Sequence, residues 1–362
     1  MLCAVLIALL AELSPAQNQS SVALDTSETI FTVLTALNTC GYDDELGISD
    51  PLRSQVRAQV ARARESSQEA QDATQAMCQF YEQHRSPDAS KTLSQFVSLA
   101  LYLNPAPNLT PKVKEADMPP DAVAVIGILP LLQKFYETVG VHGIWESNHN
   151  ALLALTDRYH KPLAKMLFDT EIYLKVPSAT RLGREFTVYV EPMGAPGQTN
   201  ARNYGPNYYV VISPGTNASL KMDQIRHTYL HYLLDPLAMK YPTAMKRLEP
   251  LLATVKTAPM DESFKSDASL LVTECFIRAI EVRTSGPAKG SDAAREQALE
   301  NSEQQGFSTG LNSMNSTRVS SGSKRFNCHL PSRPNFGSSL SGAPFLSSCC
   351  FAPWISVTPS AM

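Results

Sequence analysis

The chain has 362 residues, of which 43% are hydrophobic and 18% charged. That length allows two domains and a sizeable core. The formal net charge of −3 gives no reason to expect a nucleic-acid partner. No internal apolar run reaches the roughly 18 residues that cross a membrane.

Residues 2–10 are almost continuously apolar, and Ser14 and Ala16 put small residues where a signal peptidase cuts. The pattern predicts a secretory signal peptide over residues 1–16, and hence a secreted or periplasmic protein. No Lys or Arg precedes the apolar run. The polar residues 17–21 speak against a buried helix continuing from it.

Residues 22–176 read as a helical region. Ile30, Val33, Leu34 and Leu37 recur at helix spacing. Asp50-Pro51 is a helix start, and the helix it opens is expected to run to His84. Leu93, Phe96, Val97 and residues 99–101 mark the next. Residues 104–120 are proline-rich and read as a loop. Pro120-Asp121 opens a helix to about residue 139, and residues 145–168 another, with Pro162 as a kink.

Among seven cysteines, Cys40 and Cys78 each fall near a predicted helix end. Export would permit a bridge between them; two buried thiols are the alternative. No C-x-x-C metal spacing is present.

The period changes in residues 177–305. Residues 184–191 (REFTVYVE) alternate like a strand and residues 208–213 (YYVVIS) are β-rich. Residues 192–206, rich in Gly, Pro and Asn, read as a long hairpin loop, so the sheet is expected to be short and antiparallel. A helix follows over about 220–235, ended by Pro236, then a short one near 243–254. Residues 261–283 read as one strong helix with Phe264, Leu270, Leu271, Phe276, Ile277 and Ile280 on its apolar side. Residues 288–305 read as a last amphipathic stretch. The fold class is mainly α with a small β component (α+β).

From Gly306 to Met362 there is no Asp or Glu, and serine crowds in. That composition predicts a disordered tail. Its Cys, Phe and Trp are unusual for one, and a shifted reading frame is the alternative. Resequencing across the Gly306 codon separates the two.

One short motif carries chemistry. His227-Thr228-Tyr229-Leu230-His231 puts two imidazoles four residues apart, on one face of a helix, where both reach a single metal ion. A β-rich segment leads into this helix, and a later helix carries acids. That order resembles the zincin metallopeptidases, and within them the gluzincins, over about residues 184–283. The resemblance implies His227 and His231 as metal ligands, Glu274 as the third, zinc as the metal, and an extended peptide or protein as partner in the cleft. Glu281, two turns on, is the fallback ligand. A core-edge salt bridge with Arg278, one turn away, is the alternative role of Glu274.

One position departs from the family pattern. The residue after the first His is there a Glu that deprotonates the metal-bound water; here it is Thr228, which is no base near neutral pH. The loss of a general base removes about 10²–10⁴-fold in rate. No other catalytic residue is indicated. Asp235, one turn past His231, is a candidate to orient that imidazole. Tyr229 and Tyr232 read as core residues, and His149 and His160 as surface ones. The resemblance implies an exported, zinc-binding protein with little or no peptidase activity, acting as a binding or regulatory module. Its rivals are an active metallohydrolase with an unusual base and a structural helical protein without metal.

Overall fold

The computed structural model describes residues 21–176, 183–217, 219–258 and 260–284. The signal stretch, residues 288–305 and the tail from Gly306 lie outside them. Helices dominate and a single four-stranded sheet accompanies them, the α+β class that the sequence implies. Two compact units divide the chain: residues up to Ala164 with Arg181–Thr228, and Lys165–Thr180 with the residues from Tyr229 onward. The division does not fall at residue 177.

In the first unit, β1 (Ser21–Asp25) is followed by α1 (Glu28–Thr39), α2 (Pro51–Glu65), α3 (Gln68–His84) and α4 (Ala89–Leu101). Each helix starts where a short polar side chain accepts a backbone N–H: Ser27 from Ile30, Asp50 from Leu52, Ser67 from Ala70, and Asp88 from Ser90. Ser67 corrects the expectation of one helix from residue 51 to His84. It is extended and caps a new helix, so the continuous apolar spacing hides a break. The stretch 120–139 is likewise divided, into α5 (Pro120–Val123), a 3₁₀ turn at Ile126–Ile128 and α6 (Leu129–Val139). Gly140 ends α6 in the left-handed conformation, at φ 70°. The next helix, α7 (Val141–Leu174), contains Pro162.

The strands β2 (Glu185–Val190), β3 (Thr199–Tyr204) and β4 (Asn207–Ile212) complete the sheet, in the order β1-β2-β4-β3. Here the structure differs from the expected antiparallel hairpin. β1 and β2 are parallel, β2 and β4 are parallel, and only β3 runs antiparallel to β4. The supposed loop 192–206 contains β3. Its sequence, TNARNY, shows no apolar alternation because it is an edge strand with only Asn200 buried. Gly205, at φ 64°, supplies the left-handed residue that turns β3 back into β4.

The chain after β2 is bolted to the helices by a buried arginine. Arg53, fully buried, donates to Asn38 Oδ1 at 2.9 Å and to the carbonyls of Asp44, Gly194 and Tyr42 at 2.7, 3.2 and 3.1 Å. Asn38 donates in turn to the Met193 carbonyl. A Cβ at Gly194 would collide with Ser213 Oγ, so only glycine fits that close approach. Cys40, at the end of α1, is disulfide-bonded to Cys78 in α3. The bridged alternative is therefore the one realised.

The second unit carries the latter part of α8 (Met222–Lys240), then α9 (Pro242–Lys246), α10 (Glu262–Ser266) and α11 (Ala268–Thr284). Pro236 lies inside α8 and does not end it. Asp267, extended at φ −131° and ψ 113°, separates α10 from α11, where one helix over 261–283 was expected. Leu251, Val255, Met260, Leu271, Val272 and Cys275 form the core of this unit. Leu270, expected on the apolar side, is 44% exposed. Leu271, Ile277 and Ile280 face inward as expected, and Val272 and Cys275 join them.

Candidate metal centre

α8 and α11 supply the site. His227 and His231 occupy successive turns of one face of α8, as their spacing requires. One ligand atom each from His227, His231 and Glu274 all lie within 4.8 Å of one another. Among the described residues no other set of three His, Cys, Asp or Glu side chains is grouped this way. Glu274 in α11 is buried, at 2% exposure, while both histidines are half-buried.

The two faces of the His231 ring are used differently. Nδ1 stands 3.0 Å from Asp235 Oδ1 and Nε2 stands 3.3 Å from Glu274 Oε2. Asp235, for which the sequence favours a plain helix-end role before Pro236, is placed to orient the ring, and it leaves Nε2 directed at the other donors. Burial works against a charged ring here. The bonds and charges of Asp235 and then Glu274 outweigh it and lift the His231 pKa to about 9. Without a metal, an imidazolium fills the gap between two carboxylates at neutral pH.

Glu274 has a second partner. Its Oε1 lies 2.7 Å from Arg278 Nε, one turn along α11. The N–H is not aligned on the oxygen, so charge holds this contact rather than a directed hydrogen bond. Arg278 also donates from Nη1 to Glu281 Oε2 at 3.2 Å. Ligand role and ion pair, alternatives in the sequence, are compatible: one oxygen faces the histidines and the other faces the guanidinium. Glu281, the fallback ligand, pairs with Arg278 instead and does not join the three-residue group. The neighbouring Cys275 thiol is pushed up to about 12 by burial and by Glu274, and so stays protonated.

Two imidazoles and a carboxylate are a common set of metal donors. This group could hold a metal ion. The position after His227 carries no acidic side chain. Thr228 is 6% exposed, and its hydroxyl donates to the Gln224 carbonyl at 3.0 Å, back along its own helix.

Other expectations resolve as follows. Tyr229 and Tyr232 are fully buried core residues, and Tyr229 donates to Glu171 at 2.5 Å. His160 is exposed, whereas His149 is half-buried against Trp145. Most of the β-rich run 208–213 lies in β4, bonded on both sides by β2 and β3. Among the described residues the edge strands of the sheet are β1 and β3.

Sequence reasoning missed Glu191, just past β2. It is buried at 1% exposure, and its Oε2 has no partner. Oε1 accepts from Met193 N. Burial, only partly offset by that bond, raises its pKa to about 8. A lone Glu ending an alternating run carries no sequence signal for this.

No protein family model, no curated protein and no solved structure matches the chain.

Proposed function

We propose that this is an exported, zincin-like zinc-binding protein with little or no peptidase activity, which acts as a binding or regulatory module. The observation that carries this reading is the convergence of His227, His231 and Glu274, with a threonine where a zinc peptidase needs a carboxylate. A bound zinc would supply a Lewis-acidic centre with an open position. His227, His231 and Glu274 hold it, and Asp235 keeps the His231 ring turned toward it. Thr228, tied to Gln224, takes up no proton. The Cys40–Cys78 bridge supports export, because such bonds persist in oxidising compartments. An extended peptide partner would pair with the edge strand β3, by main-chain hydrogen bonds.

A metal-free structural role is the competing reading, favoured by the ion pairs that already satisfy Glu274. Elemental analysis of purified protein decides between them. About one zinc per chain is expected, and none in His227→Ala. Equal, substoichiometric zinc in both proteins rules out the metal centre. Thr228→Glu is the second probe, and it is expected to create zinc-dependent cleavage of a peptide library that the parent lacks. Comparable cleavage by the parent protein would overturn the inactive assignment.

A further inference from the structure

We propose that Arg278 is a positioning residue that limits Glu274 to one donor oxygen, and so suits the centre to a small four-coordinate cation. The inference rests on the metal-binding reading above and adds what sets the selectivity of that site.

Glu274 has two oxygens with different surroundings. Oε2 lies 3.3 Å from His231 Nε2, on the side of the histidines. Oε1 lies 2.7 Å from Arg278 Nε. The guanidinium is anchored from its far side, where Nη1 donates to Glu281 Oε2 at 3.2 Å. Arg278 and Glu281 sit four and seven residues after Glu274 on one helix, so a single rigid element fixes all three. The planar guanidinium cannot swing off Oε1 without also giving up Glu281.

The consequence is chemical. A zinc ion with two imidazoles takes one carboxylate oxygen and remains four-coordinate. A larger, harder cation such as calcium collects six to eight oxygens and commonly grips a carboxylate by both. An arginine on Oε1 blocks that second grip and places a positive charge where a second oxygen would be needed. In the parent protein Glu274 therefore acts as a one-oxygen donor. Without Arg278 no guanidinium stands at Oε1, and a cation can reach both oxygens.

Cobalt(II) replaces zinc as the probe, because its visible absorption is strong in four-coordinate sites and weak in five- or six-coordinate ones. Apo-protein, Arg278→Met and Arg278→Lys are titrated with cobalt and then with zinc against a chelator. The parent is expected to give an intense visible band. Arg278→Met is expected to bind cobalt with the band weakened at least about twofold and zinc affinity reduced about 10–100-fold, the usual cost of losing a group that orients a ligand. Arg278→Lys recovers part of both. Glu281→Gln, which unties the guanidinium without removing it, should shift both readouts the same way, by about three- to tenfold in affinity. It serves as the informative variant if Arg278→Met does not fold. An unchanged band and a zinc affinity within twofold in these variants would sink this inference and leave the metal centre standing. No cobalt or zinc uptake by the parent sinks both.

Discussion

His231 Nε2 and Glu274 Oε2 lie 3.3 Å apart, although the two residues sit on helices separated by α9, α10 and the turns around them. The same carboxylate holds Arg278. In the metal-free protein Glu274 is thus the buried anion between two cations. Glu274→Gln leaves His231 and Arg278 facing each other without it. Removing one member of a wholly buried pair costs about 3–5 kcal/mol. Both cations are about a quarter exposed, so about 2 kcal/mol is expected, read as a lower urea midpoint for the metal-free protein. A stability equal to the parent's would show that the network is only incidental.

Glu191 gives the first unit a pH dependence of defined sign. Its folded-state pKa, about 8, lies above the ordinary 4.5. Below about pH 4.5 both folded and unfolded chains hold the proton. Between there and about pH 8 only the folded chain does, so stability falls as pH rises, by about 1.4 kcal/mol per unit. Above pH 8 the loss is complete. Glu191→Gln should flatten this slope. Urea denaturation at several pH values checks it, and parallel curves for parent and variant would refute it.

Arg53 spends its donors on three backbone carbonyls and Asn38. Arg53→Met fills much of the same volume but takes the donor from the Asp44 and Gly194 carbonyls, while Arg57 still reaches Asn38 Oδ1 and the Tyr42 carbonyl. Each unsatisfied buried acceptor costs about 1–3 kcal/mol, so for two of them a loss of at least about 2 kcal/mol is expected. Arg53→Lys, with a single nitrogen, should recover little of it. A denaturation midpoint within error of the parent's would show that water replaces the guanidinium.

The Cys40–Cys78 bridge closes a span of 38 residues. Loop-closure entropy puts its contribution at about 4 kcal/mol, and measured bridges commonly give about 2–4. The double variant Cys40→Ser, Cys78→Ser should lose that much, as should the parent under a reductant. The metal content should not change with it. An undiminished midpoint in reductant would indicate that α1 and α3 are held by packing alone.

Much was legible in the chain itself. The i, i+4 histidines, Thr228 after the first of them and the acid-bearing helix downstream are local facts, because helix geometry alone puts residues four apart on one face. The caps at Asp50 and Pro51 and the alternation in residues 184–191 are local in the same way. The edge strand β3 was not legible, since an edge strand needs no apolar alternation. The breaks at Ser67 and Asp267 were not legible either, because the apolar spacing runs on across both. Strand direction depends on what the chain does between strands, and no local pattern records that.

The sequence by itself determined the class of fold, the metal-ligand candidates and the threonine that follows the first of the paired histidines. Only the tertiary structure decided that Glu274 reaches His231 while still pairing with Arg278. It also decided that Cys40 meets Cys78 and that Glu191 is sealed from water. The reason is one of range. Residue spacing fixes which side chains share a face, but which faces meet is settled by burying apolar surface across elements far apart in the chain.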